Sequence, residues 1–253
     1  MAKNSGNGTG AGTADVHLII QGKGGIGKTA VANILAQYLN SKGKQAKCYD
    51  TDPVNASLYR FKALNANKLE VMEEGQVKEM AFDGLVETMC LGEGPFVIDT
   101  GATTFIPLWT YVVQNRILDL LEQHARRVFI HVVIAGGQSQ LDTLQGLADI
   151  AQSTGKKNIV VWLNEFFGKV RTPDGKPFEE MRAYLENVEK VLDVLVIPDR
   201  NRNTFGEDMK RMLENSLTFD EAVRSEKFGL VSKQRLSIVR QDLFERLDRV
   251  AVM

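Results

Sequence analysis

Short apolar runs alternate with amphipathic stripes along most of this chain. Residues 16–20 form one such run, and Val31, Ile34, Leu35, Tyr38 and Leu39 follow at helical spacing up to a stop at Gly43. Further apolar runs stand at 45–49, 95–99, 128–134, 159–163 and 194–198, with helical patterns over 106–123, 139–152 and 177–190. Residues 69–94 read as a short edge strand and a helix over 78–89. Near the end, Leu236, Val239, Leu243, Leu247 and Val250 again keep helical spacing, giving a helix over 233–253. Strands that are apolar throughout, rather than alternating, are covered on both faces. The pattern therefore predicts an α/β fold, a mostly parallel sheet with helices on both sides, as a single domain over residues 15–253. Residues 1–14 are rich in Gly, Ser, Thr and Asn and read as a flexible extension without the apolar centre of a signal peptide.

Between the first run and the first stripe lies Gly22-Lys23-Gly24-Gly25-Ile26-Gly27-Lys28-Thr29, which fits G-x-x-x-x-G-K-[ST]. A strand, a glycine loop and a helix in this order make a nest of backbone N–H groups at a helix N-terminus, suited to phosphate oxygens. The backbone of Gly24, Gly25, Ile26, Gly27, Lys28, Thr29 and Ala30 is expected to form that cradle, its glycines admitting phosphates that a side chain would block. Lys28 would reach the β- and γ-phosphates and the Thr29 hydroxyl would ligate Mg²⁺. The second apolar run ends in Asp50-Thr51-Asp52-Pro53-Val54-Asn55, whose carboxylates at i and i+2 point the same way at a strand's C-terminal end. The third ends in Asp99, the arrangement in which a carboxylate holds a magnesium-bound water beside Thr29.

Lys23, Lys28 and Thr29 stand within Lys-Gly-Gly-x-Gly-Lys-Thr, which resembles the deviant Walker A motif of the ParA/MinD family of P-loop ATPases. The Asp50–Asn55 segment resembles that family's D-x-D-P-x-x-N switch. The resemblance implies an ATPase that dimerises on ATP, in which Lys23 reaches the partner subunit's nucleotide and has no evident task in its own. It implies that Asp52 positions or deprotonates the attacking water and that Asp50 joins the magnesium shell through water. Where the family has proline after Asp-Thr, this chain has Gly101, which is expected to loosen the second switch.

At later strand ends, Asn164 and the Pro198-Asp199 pair match the family's adenine cradle. An amide offers the adenine edge both a donor and an acceptor, and no Asn-Lys-x-Asp guanine reader is present, so ATP is the expected nucleotide. Asn164 is open to a second reading, as a loop residue capping its strand.

The remaining features narrow the picture. A net charge of −1 gives no global pull toward nucleic acid or anionic lipid. Arg200, Arg202, Lys210 and Arg211 form a modest basic cluster, read as a solvated face or as a weak nonspecific DNA contact. The C-terminal stripe interleaves Asp242, Glu245 and Asp248 with Arg240, Arg246 and Arg249, which favours packing on the sheet over membrane binding. Two cysteines, Cys48 and Cys90, make no disulfide framework, and no run is long enough to span a membrane, so a cytoplasmic protein is expected. His131 sits mid-strand among apolar neighbours and reads as a hydrogen-bonded core histidine. Trp109, Trp162, Phe166 and Phe167 near strand ends read as packing beneath loops or as a partner surface.

Across residues 16–221 the chain also looks like the TraL group of conjugative plasmid transfer proteins. That likeness is carried by Gln21-Gly22-Lys23-Gly24-Gly25, 50–56, Thr100-Gly101-Ala102, Gly136-Gly137-Gln138 and 217–222. It implies an accessory ATPase working beside a conjugation or plasmid-maintenance protein. The alternative is a DNA- or membrane-bound positioning ATPase of ParA or MinD type.

Overall fold

The computed structural model describes residues 14–250, so the expected N-terminal extension lies outside the described residues except for Ala14, which is buried. The strands are β1 (Asp15–Ile20), β2 (Lys47–Asp50), β3 (Asn67–Lys68), β4 (Met72–Glu73), β5 (Gln76–Val77), β6 (Phe96–Asp99), β7 (Arg127–Ala135), β8 (Ile159–Asn164) and β9 (Val191–Ile197). Seven of them make one all-parallel sheet in the order β3-β2-β6-β1-β7-β8-β9, while β4 and β5 form a separate hairpin. The helices are α1 (Lys28–Ser41), α2 (Asp83–Leu91), α3 (Ala102–Gln114), α4 (Ile117–Gln123), α5 (Gln140–Ser153), α6 (Arg182–Leu185), α7 (Glu207–Glu214), α8 (Phe219–Arg224) and α9 (Leu230–Arg249).

The chain steps outward from β1 to β2, returns to β6 beside β1, and then crosses to β7 on the other side. Strand order thus reverses around β1, and in open parallel sheets the crevice beyond the strand C-termini at that point is where ligands bind. Both faces of the sheet are buried, as the continuous apolar strands require. Val16, Leu18 and Ile20 join a core with α2, α3, α4 and α5, whereas Ile19 joins a second core with α1, α8 and α9. Each Leu, Ile or Val so buried contributes roughly 1.5–3 kcal/mol against exposure. The α9 stripe of Leu236, Val239, Leu243 and Leu247 lies in that second core, as expected of a packed helix. Cys48 and Cys90 are free and buried.

Local structure departs from the sequence pattern in several places. The helix expected over 106–123 starts at Ala102 and breaks at Arg116, whose φ of 51° ends α3 before α4 begins. The helix expected over 177–190 reduces to a 3₁₀ turn at Phe178–Glu180 and the single turn α6. Met181 between them is extended (φ −80°, ψ 146°) and buries its side chain near Phe178. In 69–94 the edge strand falls just earlier, at β3, and a hairpin through Glu74 and Gly75, both at positive φ, precedes α2. The pattern missed α7 and α8, although Thr218 and Glu221 form a capping box that the T-x-x-E spacing announces.

His131 is a core histidine with defined partners. Trp162 Nε1 donates to its Nδ1 at 2.9 Å, and an indole can only donate, so the His131 proton sits on Nε2. That N–H faces His17 Nδ1 at 3.0 Å, which leaves the buried His17 Nε2 without a partner. Burial holds both rings neutral, His131 down to about 3 and His17 well below its usual range. The latter is lowered further by His131, Lys44 and Arg127. The unfolded chain therefore takes up two protons below about pH 6.5 that the native chain refuses, so this contribution to stability is lost as pH falls. Burial raises Asp99 and Asp50, which run the opposite way, so the histidine share is read by difference. Replacing His17→Phe should flatten the acid side of the stability curve by about 1.4 kcal/mol per pH unit. Urea titrations of both proteins between pH 6 and pH 4 measure this, and parallel curves would refute it.

Candidate functional site

The loop between β1 and α1 is fixed at its base by Gln21. Its buried amide donates to Thr143 O at 3.0 Å and accepts from Gly22 N at 2.8 Å, tying the loop to α5. Gly25 (φ 73°) and Gly27 (φ 98°) take left-handed backbone, and a Cβ on Gly27 would come 2.5 Å from Asn164 Nδ2. The first turn of α1 therefore opens with the amides of Lys28, Thr29 and Ala30 at the end of the loop. Lys28 Nζ folds back onto Lys23 O at 2.9 Å. Burial pulls its ammonium below the usual range, while Asp99 and Asp52 pull it back up.

Asp99, at the end of β6, accepts the Thr29 hydroxyl at 2.6 Å through Oδ2. Its Oδ1 is buried with no partner, and burial pushes the carboxyl up to about 7 against the pull of Thr29 and Lys28. A hydroxyl and a half-satisfied carboxylate, both hard oxygen donors beside a phosphate nest, fit Mg²⁺. Among the described residues, no cluster of three or more His, Cys, Asp or Glu could hold a metal ion.

Asp50 and Asp52 play unlike parts. Asp50, buried at the end of β2, accepts Asp52 N at 2.9 Å and Tyr59 N at 3.0 Å, so its carboxylate shapes the loop. Asp52 accepts Val54 N and Asn55 N through one oxygen, with Asn55 Nδ2 at the other, and lines a cleft of about 510 Å³ with Lys28 and Thr29. Gly101 does not loosen the second switch. It is extended (φ −67°, ψ 156°), and a Cβ on it would lie 2.8 Å from Asp52 Cγ and 3.0 Å from Asp52 Cα, so glycine lets the two segments close.

Lys23 is not among the residues that line this cleft and pairs with Asp142 on α5 at 2.7 Å, with both side chains exposed. It thus has a partner in its own subunit, a residue 119 positions away that sequence reading missed. Beside the loop lies an apolar hollow of about 240 Å³ bounded by Phe166, Phe167, Pro198, Arg200 and Phe205. Asn164 closes it, donating to Ile26 O at 2.8 Å and accepting from Phe166 N at 3.2 Å, so it clamps the P-loop and caps the turn after β8. Asp199 is exposed and lies outside the hollow's lining, which its neighbours Pro198 and Arg200 enter. Trp109 and Trp162 are buried, whereas Phe166 and Phe167 stay partly exposed on the hollow.

A family profile described as the CobQ/CobB/MinD/ParA nucleotide binding domain matches residues 17–224. Two Escherichia coli proteins, each called protein TraL, are 42% and 39% identical over 241 residues, spanning 95% of this chain and 100% of each relative. Among solved structures, the MinD cell division protein of Aquifex aeolicus superposes with a TM-score of 0.51 at 15% identity, covering 92% of this chain and 98% of that one. A ParA family ATPase from Chlorobium tepidum TLS gives 0.52 at 12% identity, covering 90% and 98%. At such identities the structures speak for the fold, which is the parallel α/β P-loop fold expected from the sequence.

The contact at Gly101 yields a stability test. Gly101→Ala forces Asp52 and its loop apart and should cost about 1–2 kcal/mol. Asp52→Gly should recover part of it, since it removes two of the three atoms met at 3.0 Å or less. A double-mutant cycle on urea midpoints measures the coupling, and strictly additive losses would show that the two switches do not press on each other.

Proposed function

Because this chain belongs to the CobQ/CobB/MinD/ParA nucleotide-binding domain family, we propose that it is a Mg²⁺-dependent ATPase whose nucleotide state sets its dimerisation. On the TraL resemblance, it serves conjugative transfer or maintenance of a bacterial plasmid. The observation that carries this reading is Asp99, a buried carboxylate with one oxygen on Thr29 and the other orphaned, next to Lys28 at the mouth of a phosphate nest.

In this reading the amides of residues 24–30 receive the phosphates, and Lys28 leaves Lys23 O to meet their charge. Thr29 and Asp99 would hold Mg²⁺, which when bound neutralises charge on the β- and γ-phosphates, with Asp50 acting on that shell through water. Asp52, held by Val54 N and Asn55 N and backed by Gly101, orients the attacking water. The apolar hollow under Asn164 takes the base. Lys23 exchanges Asp142 for the nucleotide of a second subunit. An exposed pair of this kind is worth about 0–1 kcal/mol, so little opposes the exchange.

Nothing observed favours the DNA- or membrane-bound alternative. Arg200 makes a half-buried pair with Asp242 and Arg211 stacks over Phe228, while Lys210 lies 3.9 Å from Glu214 in an exposed pair, so the cluster does not form one free basic patch. The apolar stripe of α9 is buried, and among the described residues no helix is long and apolar enough to cross a membrane.

Calorimetry should find that Lys28→Ala removes ATP affinity in a folded protein, while Asp52→Ala retains affinity and loses phosphate release by roughly 100-fold or more. Unchanged affinity in the first, or unchanged turnover in the second, contradicts the assigned roles. For the switch, light scattering with ATP should show Asp52→Ala trapped as a dimer and Lys23→Ala/Asp52→Ala as a monomer. A double variant that still dimerises makes Lys23 an ordinary loop lysine.

A further inference from the structure

We infer that Arg60 is a second cation of this subunit for the nucleotide's polyphosphate, an inference that rests on reading the cleft as a triphosphate site. Arg60 ends the 3₁₀ turn Leu58–Arg60 and lines the same cleft as Lys28, Thr29 and Asp52. Among the residues lining it, Lys28 and Arg60 are the cations, and Asp52 and Glu214 are carboxylates. A polyphosphate carries more negative charge than one divalent ion and Lys28 neutralise, and the carboxylates deepen the deficit. Lys23 pairs with Asp142 and, in the proposed reading, serves the nucleotide of a second subunit, so it is not counted toward its own.

The turn is built to present this guanidinium. Leu58 and Phe61 on either side are buried, and Tyr59 N is held by Asp50 Oδ2 at 3.0 Å, so the backbone carrying Arg60 is fixed. The guanidinium donates to Asn55 O at 3.0 Å, and no carboxylate among the described residues lies within ion-pair distance of it. One of its five N–H groups is thus engaged and the rest are free to make the forked contact that phosphate oxygens accept. Asn55 is also the residue whose N and Nδ2 face Asp52. Arg60 and Asp52 therefore grip the same loop residue from its two ends, and a phosphate that engages Arg60 bears on the loop that holds the water-orienting carboxylate.

A brace on Asn55 O and a phosphate cation are separable, because glutamine can donate to a carbonyl but carries no charge. Mg-ATP affinity of the full chain would be measured by calorimetry at two salt concentrations for wild type, Arg60→Ala, Arg60→Gln, Arg60→Lys and Lys28→Ala. Arg60→Ala and Arg60→Gln should both weaken binding roughly tenfold or more and bind with a shallower salt dependence, while Arg60→Lys recovers most of the affinity. Melting temperatures should stay at the wild-type value, since the side chain is exposed. Wild-type affinity and salt dependence in Arg60→Gln would overturn the inference and leave Arg60 a brace. If Lys28→Ala loses binding while the Arg60 variants do not, the inference alone fails. If wild type itself binds no ATP, it falls together with the reading of the cleft.

Discussion

A carboxylate sealed at the end of a central strand governs this molecule. Asp99 is buried with one oxygen on Thr29 and one on nothing, and burial holds its proton up to about 7. Burial acts on Lys28 in the opposite sense, pulling its ammonium below the usual range. Each favours the charged form of the other, yet neither finds a full partner: Lys28 bonds a loop carbonyl and Asp99 a hydroxyl. Both groups are therefore held short of the partners that burial demands, at the point where strand order reverses around β1. A ligand that brought phosphate oxygens to Lys28 and a hard cation to Asp99 would relieve both penalties at once.

The rest of the cleft is assembled by contacts that only glycine permits. Gly27 lies where a Cβ would strike Asn164, and Gly101 lies where one would strike Asp52. Gly136 likewise lies where one would strike the Gly168 carbonyl. Each contact joins two segments that leave different strand ends. The P-loop meets the apolar hollow through Asn164, the two aspartate-bearing segments after β2 and β6 meet through Gly101, and the loop after β7 meets the loop after β8 at Gly136. Close-packed interiors transmit displacement rather than absorb it, so a shift at one strand end is felt at its neighbour.

How much of this was legible in the sequence follows from how local each signal is. The P-loop is contiguous, and an apolar run ending in aspartate marks Asp50 and Asp99 without knowledge of any neighbour. Asn164 could be picked out as the residue after a buried strand, but its bond to Ile26, 138 positions away, could not. The same holds for Lys23 with Asp142 and for Gln21 with Thr143, pairs joined only once α5 docks beside β1 and β7. Gly101 was visible as a departure from a pattern and was read as freedom, whereas it stands for a close approach that only coordinates reveal. Secondary structure failed where tertiary packing overrode periodicity. Met181 turns extended to reach the core, and Arg116 takes left-handed backbone to turn the chain from α3 into α4.

Helix α5 joins these threads. Its residues grip the P-loop at two points of opposite character: Thr143 O receives the buried Gln21 amide, and Asp142 receives the exposed Lys23 ammonium. The first contact is shielded from water and costly to break, because Gln21 would lose its partners in the interior. The second is solvent-screened and exchanges readily. The loop is therefore fixed at its base and lightly held at its tip. A rigid hold and a light one are thus supplied by adjacent residues on one helix, separated by whether water reaches the bond.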